Sequence, residues 1–540
     1  MACAGWLALS WFAAVDASPP PASTLDERVD AVTQAAGYES GHWGILVVDL
    51  ATGKPIFQRN PDQMFCPASV AKLFSSAAAL SDLGPDYRFR TPVVRRGEVG
   101  KDGTLRGDLI LVAKGDPSLG GRTGPDGSLL FEDNDHSYAA SNPDAALVST
   151  DPLAGLDHLA REVSASGIKV VTGHILVDDR YFDAAPSSGS GPSRVSPIMI
   201  NDNVVDILVT PGAKVGEPAW VRIVPETSFV QYDARVETVA ADGQAAIAVE
   251  VVGPRRFSIR GRVPVGHRPV LRTYEVDEPA AFARALFIET LRKRGVVVDA
   301  SPLAENQAWR LPTQVDVSTL PKVAEYTSPP FREYLKVLLK VSQNLHASAL
   351  PLLVAANHGQ TDLASGLRRE SELLAKLGVD VKTISFGGGA GGARADLVTP
   401  RATVALLRSM STRPDFPAYD AALPVLGRDG TLARAVASDS PARGHARGKT
   451  GTFWVDNGLS GHSILVSKSL AGYLETASGQ KLAFAFFVNN LPIDLIGGPI
   501  SEASGAAGRR LGKLCEVFYD EEPMPVANPA RPAEAPPGGR

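Results

Sequence analysis

Cysteine is scarce in this chain. The three in 540 residues stand at positions 3, 66 and 515, too few and too far apart for a disulfide framework or a C-x-x-C pair. The nine histidines are dispersed and no H-E-x-x-H run occurs, so a metal site is not expected. Neither sign of charge dominates. The net charge is −5, with charged residues at 21%, and no basic run is long enough to track a phosphate backbone, which argues against nucleic acid as a partner. No later apolar run has the length of a membrane span. What remains is a 44% hydrophobic chain of ordinary globular composition, too long for one core, so two or three domains are expected.

The first 17 residues, MACAGWLALSWFAAVDA, are nearly all apolar. They resemble the core of a secretory signal with small residues at Val15 and Ala17, and residues 1–23 are read as a signal-like segment. The basic leader of such signals is missing, which would place a true start upstream. Leu25 to Ala36 reads as a helix, 43–50 and 55–57 as strands, and the Ala/Leu-rich run after Ser69 as a helix ending near Gly84. From 89 to 321 the texture becomes strand-like runs between Gly/Pro/Asp turns, read as inserted β-rich material. Residues 120–145 are polar and Gly-rich and predict a mobile surface loop. Helices return from Pro329, strands occupy 445–490, and a helix covers 499–519. The Pro/Ala-rich tail, 521–540, reads as disordered. Whether Cys66 and Cys515 pair stays open.

Three short words carry chemistry: Ser69-Val70-Ala71-Lys72, Ser342-Gln343-Asn344 and Lys449-Thr450-Gly451. Helical residues three apart share a face, so Ser69 and Lys72 project together. A buried lysine beside other positive charge has a lowered pKa and can take the serine proton. At a helix start the Ser69 N–H can serve half of an oxyanion hole. Ser342 would relay a proton to the leaving amine, and Asn344 would hold Lys72 and a substrate amide. Lys449 and Thr450 would hold a carboxylate, Gly451 would let a substrate backbone approach the strand, and the Thr452 N–H would complete the oxyanion hole. Each word alone is weak. Ser166-Gly167-Ile168-Lys169 repeats the first spelling in a turn-and-strand setting. All three in this order, each in a suitable local setting, point to serine acyl transfer with lysine as base.

These motifs resemble those of the penicillin-binding proteins and serine β-lactamases. The wide gap between the first and second words narrows this to the D-alanyl-D-alanine carboxypeptidases of the penicillin-binding-protein-4 type, peptidase family S13. The runs PASVAKLF, GDLILVAKGDPSL, GHILVDDRYFD, VSPIMINDNVVDILVTPG, LKVSQNLHAS and LPVLGRDGTL are similar too. The resemblance implies an α/β (α+β) transpeptidase-like domain: a five-stranded antiparallel sheet flanked by helices, from residues 24–90 and 321–520. It implies an inserted domain from 91–212 and 296–320, with a further β-rich domain, 213–295, nested in it. It further implies an exported, cell-envelope protein, at the wall or membrane surface, cutting peptidoglycan stem peptides after the penultimate D-alanine. Cleavage of cross-links would make it an endopeptidase too, β-lactams would acylate the same serine, and no metal or organic cofactor would be used. A β-lactamase or esterase on the same fold, and a peptidoglycan-binding scaffold with reduced catalysis, are the alternatives. One departure stands out. Where the family carries Asp-Gly-Ser-Gly-Leu-Ser-Arg, this chain has Gly388-Gly389-Ala390-Gly391-Gly392-Ala393-Arg394, read as a change at the rim of the site.

Overall fold

The computed structural model describes residues 23–140, 142–497 and 500–521. The signal-like stretch through residue 22 and the tail from 522 lie outside the described residues. Thr24 begins helix α1 (Leu25–Thr33) with a capping box, its hydroxyl accepting the Glu27 N–H while Glu27 accepts the Thr24 N–H. Strands β1 (His42–Asp49) and β2 (Pro55–Arg59) follow, then a tight 3-10 turn (Ala68–Ala71) and helix α2 (Lys72–Leu83), stopped by Gly84 at φ +81°. After the insertion come α3 (Phe331–Lys340), α4 (Asn344–Asn357), α5 (Leu363–Lys376) and α6 (Pro400–Ser411). Strands β3 (Ala446–Asn457), β4 (His462–Glu475) and β5 (Lys481–Pro492) and the helix α7 (Ile500–Tyr519) complete the chain.

The sheet has the order β3-β4-β5-β1-β2 and is antiparallel throughout. Strand alternation sends its residues to two cores. On β1, Trp43, Ile45 and Val47 pack with α1 and α7, while Leu46 and Val48 face α2, α3 and α4. The same division on β5 separates Leu482, Phe484 and Phe486 from Ala483, Ala485 and Phe487. With both faces covered, the strands read as nearly continuous apolar runs. Helix α2 lies inside the larger core, buried from Lys72 through Leu80. Among the described residues no helix is long and apolar enough to cross a membrane.

The insertion has its own core. A six-stranded sheet is built on 90–99 and 104–112 with 170–171, 175–178, 297–298 and 322–327; a three-stranded sheet joins 204–210 to 220–224 and 270–275; another joins 231–239, 256–264 and 246–253. The strand 322–327 pairs with 90–99, so the inserted sheet runs past 320, and the strand 204–210 pairs across 212. Two long helices also lie here, Ala154–Ala165 and Pro279–Lys293, which a purely β-rich reading omitted. The second is buried through most of its length, so it lacks the polar stripe that marks a surface helix. The 120–145 stretch is mostly irregular, as expected, but several of its charged side chains are buried. Arg122, Asp135 and His136 are buried, and Asp133 accepts the Gly430 N–H at 2.6 Å.

Candidate active site

Ser69 sits on the 3-10 turn before α2, not on the α-helix itself. In a 3-10 turn residues i and i+3 eclipse, and Lys72 Nζ lies 2.8 Å from Ser69 Oγ. The residue before the serine, Ala68, has φ +45°, a costly conformation for a residue with a Cβ. The sheet holds it there. Ser469 Oγ donates to the Pro67 carbonyl at 2.7 Å, Ser467 Oγ to the Cys66 carbonyl at 2.7 Å, and Asn489 accepts the Cys66 N–H at 2.8 Å. Gly451 belongs to this contact. A Cβ there would lie 2.4 Å from the Pro67 oxygen and 2.1 Å from Ser469 Oγ. Its missing side chain therefore makes room for the serine turn of the protein itself.

Lys72 is fully buried and has three neighbours: Ser69 Oγ, Asn344 Oδ1 at 2.7 Å and the Ala390 carbonyl at 2.7 Å. Burial, then the nearby Lys449 charge, lowers its pKa well below the usual lysine range, with Asp396 opposing. A neutral amine has two hydrogens and one lone pair. Two of its neighbours are carbonyl oxygens that can only accept, so they take the hydrogens and the lone pair is left for the Ser69 hydroxyl.

The Ala390 carbonyl comes from the altered Gly-rich stretch, which lies under the reacting groups and not at the rim. Ser75 Oγ donates to the Gly389 carbonyl at 2.8 Å, and Asp396 accepts the N–H groups of Gly387 and Ala393, each at 2.8 Å. A Cβ on Gly391 (φ +83°) would meet the Ala68 oxygen at 1.9 Å, and one on Gly389 would meet the Ala347 oxygen at 2.0 Å. The glycines are the means of this close approach.

Ser342 and Asn344 straddle the start of α4. Ser342 has φ +65°, and Tyr138 Oη donates to its carbonyl at 2.5 Å. Gln343 caps α4 by accepting the His346 N–H at 3.2 Å. Asn344 touches Lys72; among the described residues the Ser342 hydroxyl bonds neither Lys72 nor Ser69. A short loop joins the second word to the third. Lys340 Nζ contacts Asp429 at 2.7 Å, a Cβ on Gly430 would lie 2.4 Å from the Lys340 carbonyl, and Thr450 Oγ1 donates to Thr431 Oγ1 at 2.7 Å.

Lys449 is fully buried, with Nζ donating to the Thr450 carbonyl at 2.8 Å. Burial, then Lys468, pushes its pKa down to about 7. Lys468 donates to Thr452 Oγ1 at 2.8 Å and Ser504 Oγ at 3.0 Å, and burial lowers it to about 8. Strand β3 is the sheet edge. Gly448 donates its N–H off the sheet to the Pro424 carbonyl at 3.0 Å, so strand alternation turns the N–H groups of Thr450 and Thr452 the same way. A cavity of about 730 Å³ lined by Thr450, Thr452, Lys468 and Ser469 opens beside them. The Ser166–Lys169 copy of Ser-x-x-Lys is a helix end: Ser166 Oγ donates back to the Val163 carbonyl at 2.7 Å. Cys66 and Cys515 are both free thiols.

Sequence reasoning missed Ala390, Ser467, Ser469, Asn489, Lys468 and Tyr138. Only the glycine run carried a signal for one of them, since repeated glycine marks close backbone approach.

Fold and site together have the form of a serine acyl-transfer protein, with a buried lysine amine 2.8 Å from the serine hydroxyl. The sequence matches the D-Ala-D-Ala carboxypeptidase 3 (S13) family over residues 25–502. It is 32% identical over 506 residues to a D-alanyl-D-alanine carboxypeptidase of Actinomadura sp., covering 88% of this chain and 83% of that one. It is 22% identical over 468 residues to D-alanyl-D-alanine carboxypeptidase DacB of Haemophilus influenzae, covering 84% and 86%. The crystal structure of penicillin binding protein 4 (dacB) from Haemophilus influenzae has the same fold, with a TM-score of 0.67 at 21% identity over 91% of this chain and 99% of that one. The chain belongs to the D-Ala-D-Ala carboxypeptidase S13 family.

Proposed function

We propose that this chain is a serine D,D-carboxypeptidase that removes the terminal D-alanine of peptidoglycan stem peptides through an acyl-enzyme on Ser69. The observation that carries this reading is the setting of Lys72, where two carbonyl acceptors and a serine 2.8 Å away leave a neutral amine one partner to deprotonate. Ser69 Oγ attacks the carbonyl carbon of the penultimate D-alanine while Lys72 takes its proton. The developing oxyanion is received by the backbone N–H groups of Ser69 and Thr452. Ser342 passes a proton to the departing D-alanine nitrogen. Lys449 and Thr450 hold the terminal carboxylate, Asn344 orients Lys72 and a substrate amide, and water then cleaves the acyl ester.

The open edge of β3 suits an extended peptide added alongside it. The same site would cut D-alanyl cross-links, and β-lactams would acylate Ser69. Such a substrate places the protein outside the cytoplasm, in the cell envelope. The altered Gly-rich loop still delivers a carbonyl to Lys72, which favours an enzyme over a scaffold with reduced catalysis. Mass spectrometry after penicillin treatment is expected to show one adduct on the peptide carrying Ser69, none in Ser69→Ala, and release of D-alanine from a Lys-D-Ala-D-Ala peptide by the wild type only. An adduct that persists in Ser69→Ala would overturn this reading.

A further inference from the structure

The second word is gripped from the insertion. Tyr138 Oη donates to the Ser342 carbonyl at 2.5 Å, Gln343 Nε2 donates to Ser137 Oγ at 3.3 Å, and Asn344 Nδ2 donates to the Ser190 carbonyl at 2.8 Å. Two residues further on, His346 Nε2 meets Asp202 Oδ1 at 2.6 Å. Four contacts in five residues therefore reach to the segments 137–138, 190 and 202, all outside the sheet-and-helix domain that carries Ser69 and Lys72.

Asp202 is the hub. Its other oxygen takes Arg122 at 2.6 Å and His136 Nε2 at 2.7 Å, and His136 Nδ1 meets Asp206 at 2.7 Å. Both His136 ring nitrogens face carboxylate oxygens, so both donate and the ring is an imidazolium. Burial opposes that charge, but Asp206 and Asp135 hold its pKa well above the usual histidine range. Asp202, His136 and His346 are all buried. Asp135, His136 and Asp202 stand close enough to ligate an ion, but their inward atoms are already bonded to Arg122, Ser137, Asp206 and His346. The chain bends sharply to present this hub. Asn201, Asp202 and Asn203 have φ of 51°, 53° and 56°, three successive left-handed residues none of which is glycine. Such a run persists only where its surroundings over-determine it. The element gripped is itself strained, with Ser342 at φ +65°. A strained loop needs an external hold to stay in one geometry.

We infer that Tyr138, Asp202 and His346 are positioning residues for acylation, acting as a clamp by which the insertion sets the Ser342–Asn344 loop and, through Asn344, the Lys72 amine. This rests on the acyl-enzyme reading above and extends it. The loop belongs to the transpeptidase-like domain by sequence, yet its working conformation is fixed from outside that domain. A fastener that merely joined two domains would affect stability alone, whereas a clamp affects rate.

The test is stopped-flow acylation by a fluorescent penicillin on the full chain, with the thermal midpoint and segment-resolved hydrogen exchange measured alongside. Tyr138→Phe removes one hydroxyl and keeps the ring. It is expected to lower the limiting acylation rate about tenfold, leave the concentration for half-saturation unchanged, and leave the midpoint within about 2 °C. His346→Ala is expected to slow acylation by a larger factor, and His346→Gln to recover part of it, because an amide can again donate to Asp202. Amides of 342–348 are expected to exchange faster in Tyr138→Phe. Wild-type acylation rates and wild-type exchange in Tyr138→Phe and His346→Ala would overturn the clamp, as would rate losses that follow only the loss of folded protein. A wild type that penicillin does not acylate would instead sink the acyl-enzyme reading, and the exchange measurement would still decide the clamp.

Discussion

At the scale of single residues, the proposed reaction requires two buried lysines in opposite protonation states. Lys72 would act as the free amine, so activity is expected to rise with pH as it sheds its proton. Lys449 would grip a carboxylate as the ammonium, so activity is expected to fall as pH rises through about 7. The pH profile of kcat/KM on a D-Ala-D-Ala peptide is therefore expected to be bell-shaped, with its falling limb near neutrality in the free enzyme. Lys449→Arg is expected to move that falling limb to higher pH, because guanidinium stays charged. The same residue has a stability signature. Its pKa is about 7 when folded against 10.5 ordinarily, so between those values the unfolded chain binds more protons and stability gained from deprotonation rises with pH. Lys449→Met is expected to melt several degrees above the wild type at pH 7, with the gap shrinking toward pH 10, while D-alanine release is lost. Scanning calorimetry at both pH values checks this.

At the scale of elements, the decisive contacts are between backbones. The serine turn rests on β3 through Gly451, and the Gly-rich loop rests on the serine turn through Gly391. Gly391→Ala would put a methyl 1.9 Å from the Ala68 carbonyl at φ +83°. It is expected to cost at least about 2 kcal/mol and to abolish penicillin labelling. Gly388 has only Ser188 Oγ near it, at 3.9 Å, so Gly388→Ala is expected to fold and label like the wild type. Measured side by side, the pair separates close approach from simple loss of flexibility. Ser469→Ala removes one hydrogen bond from the strained turn and is expected to cost about 1 kcal/mol in urea unfolding, with slower acylation. The words around Ser69 and Lys449 were legible because each is short and local. The Gly388–Arg394 run was legible as unusual but was placed at the rim, because composition shows that chains approach closely and not which chains do so.

At the scale of the whole molecule, the strands were readable from their apolar runs, their assembly into a two-faced sheet only through the family resemblance, and the insertion from its change of texture. The inserted helices at 154–165 and 279–293 were not, since the second is buried too thoroughly to show a periodic stripe. The polar stretch 120–145 looked like a mobile loop because its charges seemed destined for water. Part of their bonding reaches far along the chain: Arg122 bonds Asp202 as well as Asp135 within the stretch, and Asp133 receives the Gly430 N–H. Arg122→Leu would leave those carboxylates uncompensated in the interior and is expected to cost about 3–5 kcal/mol, read as a shift of the urea midpoint. An Arg122→Leu protein as stable as the wild type would refute the view that this stretch is structural.

The sequence by itself determined the three words, their order and the family, because serine, lysine and asparagine chemistry is written in side chains a few positions apart. Tertiary structure alone decided what holds those groups. The Ala390 carbonyl on Lys72, the serines on β4 that tether the turn, and the Tyr138 and Asp202 grip on the second word join residues more than a hundred positions apart. Hydrogen bonds of that kind leave no local pattern, since neither a backbone carbonyl nor a left-handed φ is visible in residue identity until the chain has closed on itself.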